Sequence, residues 1–174
     1  MYKRQVIYSS QTGNTQKVAA GIFSGIPGEN KDIQEIGAYS GTDADIFFVG
    51  FWTDRGNCDK SVATFLSGLS DKRVVLFGTC GMGGDAEYYK RIEENVRKWI
   101  PDSCIYLGSF LCQGKMPIQV RRKYESMEKD GTPADVVRRL IHNFDEALLH
   151  PNEEDILRAA AFAGRMVEQA ENME

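Results

Sequence analysis

KRQVIYSSQTGNT, residues 3–15, is the stretch that decides the fold. Its first half, residues 3–8, predicts a buried strand, and a segment of helical periodicity begins at Asn14 and continues to residue 24. The turn between them, residues 9–15, carries four hydroxyl side chains, a glycine and an asparagine, but neither lysine nor arginine. Backbone N–H groups at such a strand-to-helix turn converge on an anion, and hydroxyl groups add donors. The stretch therefore predicts an α/β fold with a neutral cradle for one phosphate group.

Short apolar runs and helical periods continue to alternate along the chain. We predict strands at residues 3–8, 32–36, 45–51, 73–78 and 103–112, and helices at 14–24, 61–69 and 86–99. Near-continuous apolar strands indicate a parallel sheet with helices on both faces, and short βαβ connections make it doubly wound. The fold class is therefore α/β, with a doubly wound five-stranded parallel sheet. Two further predicted helices, 117–129 and 133–149, form a two-helix insertion (113–151) before a last helix from 156 to 170.

Composition limits the class of protein. With 174 residues, the chain is predicted to form a single domain, 1–174, and its net charge of −4 without an obvious basic face argues against nucleic acid. The longest apolar run, residues 46–52, is too short to span a membrane, and the start resembles no signal peptide. The four cysteines form no C-x-x-C pair, so we expect no metal site and a cytoplasmic location.

Ligands of an open α/β sheet bind beyond the carboxyl ends of its strands, where three unusual segments occur. The candidate binding residues in these segments are Ser10, Gln11, Thr12, Gly13, Asn14, Thr15, Phe51, Trp52, Thr53, Asp54, Arg55, Gly56, Thr79, Cys80, Gly81, Met82 and Gly83. The first segment lacks the lysine of a nucleotide-hydrolysing P-loop. It also lacks the acidic residues of a receiver domain and the cysteine and arginine of a low-molecular-weight phosphatase.

SSQTGNT, residues 9–15, resembles the phosphate loop of flavodoxins, commonly written [ST]-x-T-G-N-T. The resemblance covers residues 2–112 and resumes at the last helix. It implies that the chain holds FMN non-covalently and passes electrons to a redox partner protein, either a reductase or an electron donor. FLCQGKM (110–116) and HPNEEDILRAAAFAG (150–164) are similar to a bacterial subgroup of the family, some members of which accompany bilirubin reductase as electron-transfer partners.

The resemblance also implies roles for single residues. Trp52 would stack on the isoalloxazine ring, Gly56 would be the site of a peptide flip, and the third segment would offer backbone amides to the pyrimidine edge. Many flavodoxins have a tyrosine in that third segment, whereas this chain has Cys80 and Met82, so we expect one flavin face to be covered and the other open. An open face leaves an alternative function, an NAD(P)H-dependent FMN or quinone reductase of the flavodoxin-like superfamily.

Two hypotheses concern basic residues. Arg55 follows Trp52 closely, and a cation near the ring would make the lower one-electron potential less negative. The stretch from Lys115 to Lys123 would form a rim beside the flavin that steers an acidic partner, unless these charges are only solvated helix faces.

Overall fold

A computed structural model describes residues 2–83 and 85–173; Gly84, part of the third predicted segment, lies outside the described residues. The strands are β1 (Arg4–Tyr8), β2 (Lys31–Glu35), β3 (Ile46–Asp54), β4 (Asn57–Cys58), β5 (Arg73–Cys80) and β6 (Ile105–Gln113). The helices are α1 (Asn14–Gly25), α2 (Lys60–Ser67), α3 (Ala86–Arg97), α4 (Ile118–Met127), α5 (Ala134–Ala147) and α6 (Glu153–Glu171).

The five long strands form one parallel sheet in the order β2-β1-β3-β5-β6. The predicted fold class is confirmed, including the two extra helices α4 and α5 between β6 and α6. Because the strand order reverses direction at β1, neighbouring strand ends separate at β1 and β3, which is where open sheets bind ligands.

A hydrophobic core lies on each face of the sheet. On one face, α1 and α6 pack through residues such as Ile22 and Phe162 against Val6 and Phe48. On the other face, α2 and α3 contribute Leu66 and Val96, among other residues. Alternate residues of β3 point into opposite cores, since Phe48 lies in the first core and its neighbours Phe47 and Val49 lie in the second. This two-sided burial explains the near-continuous apolar strands.

The third strand is longer than the sequence predicts, because it ends in a hairpin rather than a loop. Thr53 and Asp54 pair antiparallel with Cys58 and Asn57 of β4. The central residues of the turn both have positive φ, 51° at Arg55 and 80° at Gly56. Positive φ at both central residues is typical of a type I′ turn, whose twist matches that of the paired strands.

Helix α6 begins at Glu153, three residues before the predicted start at Ile156. A capping box fixes this start: Asp155 N–H donates to Asn152 Oδ1 at 2.9 Å, and Asn152 N–H donates to Asp155 Oδ2 at 2.9 Å. His150 Nδ1 and Arg158 Nη2 also contact the Asp155 carboxylate, at 2.6 Å and 2.7 Å. Burial disfavours ionisation of Asp155, but these hydrogen bonds outweigh it and lower its pKa.

The part of the chain that the structure describes has neither a membrane-spanning helix nor a cluster of metal ligands. No helix there is apolar over a length sufficient to cross a bilayer. No group of three or more histidine, cysteine, aspartate or glutamate side chains is arranged to hold a metal ion.

Candidate cofactor site

A cavity of about 170 Å³ lies at the carboxyl ends of β1, β3 and β5. It brings together members of all three predicted segments. The predicted residues that line it are Ser10, Gln11, Thr12, Asn14, Thr15, Trp52, Thr53, Thr79, Cys80 and Gly81. Among the described lining residues, Trp52 is the one aromatic side chain.

The first segment folds into a turn that is held by its own side chains. Ser10 Oγ accepts hydrogen bonds from the N–H groups of Gly13, at 3.1 Å, and Gln16, at 3.3 Å. Gly13 has a φ of 91°, a left-handed conformation that glycine adopts without steric cost, and it precedes the first residue of α1. The turn therefore presents the N-terminus of α1 to the cavity, where the helix dipole favours an anion.

Two threonines join the first and third segments beneath the cavity. Thr15 is fully buried and Thr79 is 3% exposed, and their Oγ1 atoms lie 3.1 Å apart. In this pair one hydroxyl donates and the other accepts. Because each hydroxyl has one donor and two acceptor positions, the pair retains hydrogen-bonding capacity toward a ligand.

The other predicted residues lie outside the cavity lining. Phe51 is buried in the second core, with its ring over Gly78. Asp54, Arg55 and Gly56 belong to the hairpin turn, where Asn95 Nδ2 of α3 donates to the Gly56 carbonyl at 2.9 Å. The roles proposed for Arg55 and Gly56 therefore have no contact with the cavity to support them, and they stay predictions.

Met82 and Gly83 continue the third segment beyond Gly81. Met82 is 38% exposed, and the Gly83 N–H group donates to Asn143 Oδ1 of α5 at 3.2 Å. Tyr88 and Tyr89 are half-buried and pack against the second core, so neither lines the cavity.

One wall of the cavity follows β6 and lies outside the three predicted binding segments, although it includes the start of the Lys115 to Lys123 stretch predicted to form a rim beside the flavin. Gly114, Lys115, Met116 and Pro117 all line it. Asn14 Nδ2 donates to the Lys115 carbonyl at 2.8 Å, and a Cβ built at Gly114 would lie 2.6 Å from the same nitrogen. Gly114 therefore allows Asn14 to approach. The sequence feature that indicates this wall is the position of residues 114–117 just after a predicted parallel strand.

A flavodoxin domain model matches residues 5–164 of this chain. The chain is 38% identical to the flavodoxin-like domain-containing protein BilS of Clostridioides difficile (strain CD3), over 97% of this chain and 98% of that relative. It is 32% identical to the protein of the same name from Clostridium symbiosum (strain WAL-14163), over 88% and 90% of the two chains. The chain belongs to the flavodoxin family. The expected relation to the subgroup that includes BilS is also confirmed.

The fold of a solved flavodoxin agrees with this membership. The flavodoxin of Streptococcus pneumoniae TIGR4 aligns with 95% of this chain and 98% of its own, with a TM-score of 0.60 at 17% identity. At that identity the likeness concerns the fold.

In the wall of the cavity, Cys80 is a neutral thiol. It is 4% exposed, its Sγ donates to the Met82 carbonyl at 3.2 Å, and burial raises its pKa to about 12. A thiol with so high a pKa carries almost no thiolate at neutral pH, so Cys80 serves as a small packing residue of the wall.

Proposed function

We propose that this chain carries electrons between redox partners, using FMN held in the cavity between β1, β3 and β5. FMN is the cofactor that follows from membership in the flavodoxin family. The observation that carries the proposal is the cavity itself, which joins a neutral, hydroxyl-rich turn to a wall containing Trp52. When bound, FMN accepts and releases electrons one or two at a time.

The first segment would hold the phosphate. Its donors are the N–H groups at the start of α1 and the hydroxyls of Thr12 and Thr15. Hydrogen bonds to a charged acceptor are stronger than neutral ones, so a cradle without lysine or arginine can still bind a phosphate group.

Two buried polar atoms of the cavity residues support the fit of a ligand with hydrogen-bonding groups. Asn14 Oδ1 and Thr53 Oγ1 are buried without a hydrogen-bond partner. A buried polar atom left unpaired costs about 1–3 kcal/mol, which a ligand contact would recover. Trp52 would supply a flat apolar surface for the ring.

The cavity would enclose only part of FMN. Its volume of about 170 Å³ is below the roughly 300–1,000 Å³ of sites that bury a ligand of that size. The remainder of the ring would stay at the surface, where a partner protein can approach it. This openness suits transfer of electrons between proteins.

The basic residues between Lys115, which lines the cavity, and Lys123 divide into two groups. Arg121 is engaged, because its guanidinium contacts Glu125, at 3.1 Å, and Asp145. Lys115, Arg122 and Lys123 are exposed. We propose that these three steer an acidic face of the partner, so the rate of electron transfer should fall as ionic strength rises.

The partner we propose is a reductase of the bilirubin reductase kind, because the chain resembles the subgroup that accompanies such enzymes. We place the exchange in the cytoplasm, and the four free thiols support a reducing compartment. Residues 1–174 would act as a single domain with 113–151 as its helical insertion.

A second candidate function is an NAD(P)H-dependent FMN or quinone reductase. The observation that favours it is the single aromatic side chain among the described lining residues, Trp52, which leaves one face of the ring without aromatic cover. A hydride donor and an acceptor would stack on that face in turn.

One experiment tests both functions. The purified protein is reconstituted with FMN, and its reduction is followed by absorbance with NADPH alone and then with a reduced partner. Retention of flavin and fast reduction only by the partner would support the carrier. Fast turnover with NADPH and a quinone would support the reductase, and failure to retain flavin would refute both.

A further inference from the structure

The third segment of the cavity wall is held by a side chain that lies far away in sequence. Asn143, on the inner face of α5, contacts residues 81–83 through both ends of its amide. Its Nδ2 donates to the Gly81 carbonyl at 3.1 Å, and its Oδ1 accepts from the Gly83 N–H group at 3.2 Å. A third contact joins Nδ2 to Met82 Sδ at 3.3 Å.

Gln113, the last residue of β6, closes the same network. Its Nε2 donates to the Gly81 carbonyl at 3.0 Å and to Asn143 Oδ1 at 3.1 Å. Asn143 thus uses two donor and two acceptor positions, the full capacity of a side-chain amide. The orientation of that amide is fixed by its partners, because a backbone N–H can only donate and a carbonyl can only accept.

The network matters because the segment it holds is rich in glycine. Glycine loses more conformational freedom on folding than any other residue, so a glycine-rich turn needs external contacts to keep one conformation. Gly81 lines the cavity, and a Cβ built there would overlap Met116 on the neighbouring wall. A small movement of residues 81–83 would therefore change the shape of the cavity on two sides.

We propose that Asn143 is a positioning residue of the cofactor site, which holds residues 81–83 in the conformation that receives the ring of FMN. The inference rests on the proposed function. It gives α5 a role in the site, because this helix of the insertion supplies the side chain that restrains residues 81–83. The proposal assigns the contacts of Asn143 to the part of the cavity that receives the ring, and not to the turn at residues 10–15 that would hold the phosphate.

Substitution of Asn143 tests the inference by comparing two ligands. For Asn143→Ala, we expect the dissociation constants of FMN and of riboflavin to rise by the same factor, about tenfold. Equal factors are expected because the ring, which both ligands share, is the affected part. Asn143→Asp retains the acceptor for Gly83 but loses the donor to Gly81, so it should weaken both ligands to a similar extent. His142→Ala, an exposed neighbour on α5, is the matched control and should leave both affinities unchanged.

The readouts are flavin fluorescence titration and the visible circular dichroism of the bound ring. Affinities within about twofold of the wild type for both Asn143 variants would overturn the inference. A loss for FMN with none for riboflavin would also overturn it, because that would place the effect at the phosphate. If Asn143→Ala does not fold, the nearly isosteric Asn143→Asp decides. Failure of the wild type to bind either flavin would refute the proposed function instead.

Discussion

Thr15→Val tests the phosphate turn at its most buried hydroxyl. The Thr15 side chain is fully buried, and its Oγ1 lies 3.1 Å from Thr79 Oγ1. We expect Thr79 to donate in this pair, because Thr15 then has its own proton available for the phosphate. Valine keeps the shape of the side chain and removes only the hydroxyl.

The magnitude follows from one hydrogen bond to a charged group. Such a bond contributes about 1.5–3 kcal/mol, so its loss should weaken FMN binding about 10- to 150-fold. Riboflavin has no phosphate, and its affinity should change by less than about twofold. Thr79→Val leaves the Thr15 hydroxyl in place, so the loss of FMN affinity should be smaller than with Thr15→Val. Replacement of both Thr12 and Thr15 by alanine should cost at least about tenfold.

Fluorescence titrations of the apoprotein with FMN and riboflavin provide the assay. Thr42→Val, at an exposed site in the connection before β3, is the control for replacing a threonine as such. The reasoning is refuted if Thr15→Val leaves FMN affinity unchanged, or if it weakens both ligands equally.

Three further predictions concern stability. Gly25→Ala should lower the free energy of unfolding, measured by urea denaturation, by about 3 kcal/mol or more, because a Cβ there would overlap the Ala160 backbone of α6. Gly37→Ala is the control and should change the free energy little, since a Cβ there would have nothing within 4 Å. Arg55→Asn should raise the melting temperature by a few degrees, since a left-handed arginine costs about 1–2 kcal/mol; a lower melting temperature would contradict this. Asp155→Asn should have a lower free energy of unfolding than the wild type at pH 7. The difference should shrink below the ordinary carboxyl pKa of 3.8, because protonation of Asp155 removes the stability that its lowered pKa gives the wild type. A difference that does not depend on pH would exclude this explanation.

The sheet could be predicted from sequence because each of its strands carries a local signal. The run at residues 45–51 is buried on both faces, and its apolar residues show this without knowledge of the neighbours. The end of that strand could not be predicted in the same way. Trp52 continues β3 beside Thr79 of β5. Thr53 and Asp54 continue it further because β4, which has only two residues, pairs with them. A two-residue strand has no periodicity to detect.

The turn at residues 9–15, which we propose holds the phosphate, could also be predicted from the sequence, since its residues are contiguous and their chemistry is local. The contacts that hold the other walls of the cavity could not, because they join distant parts of the chain. Asn14 meets the Lys115 carbonyl across 101 positions, and Asn143 meets the Gly81 carbonyl across 62. The sequence around a single asparagine on an amphipathic helix does not indicate which distant residue it will contact.

The two-helix insertion limits which residue roles can be carried over to this chain from the family resemblance. In a flavodoxin without extra helices between β6 and α6, no side chain would stand where Asn143 stands, so the third segment would need other contacts. Here its glycines are restrained by Asn143 and by Gln113. The same wall also meets Met116, and the Lys115 N–H group donates to the His150 carbonyl at 2.9 Å, which joins the cavity to the end of the insertion. A partner that docks on α4 or α5 would therefore contact the elements that shape the cavity, and we expect its binding to alter the environment of the proposed cofactor through these hydrogen bonds.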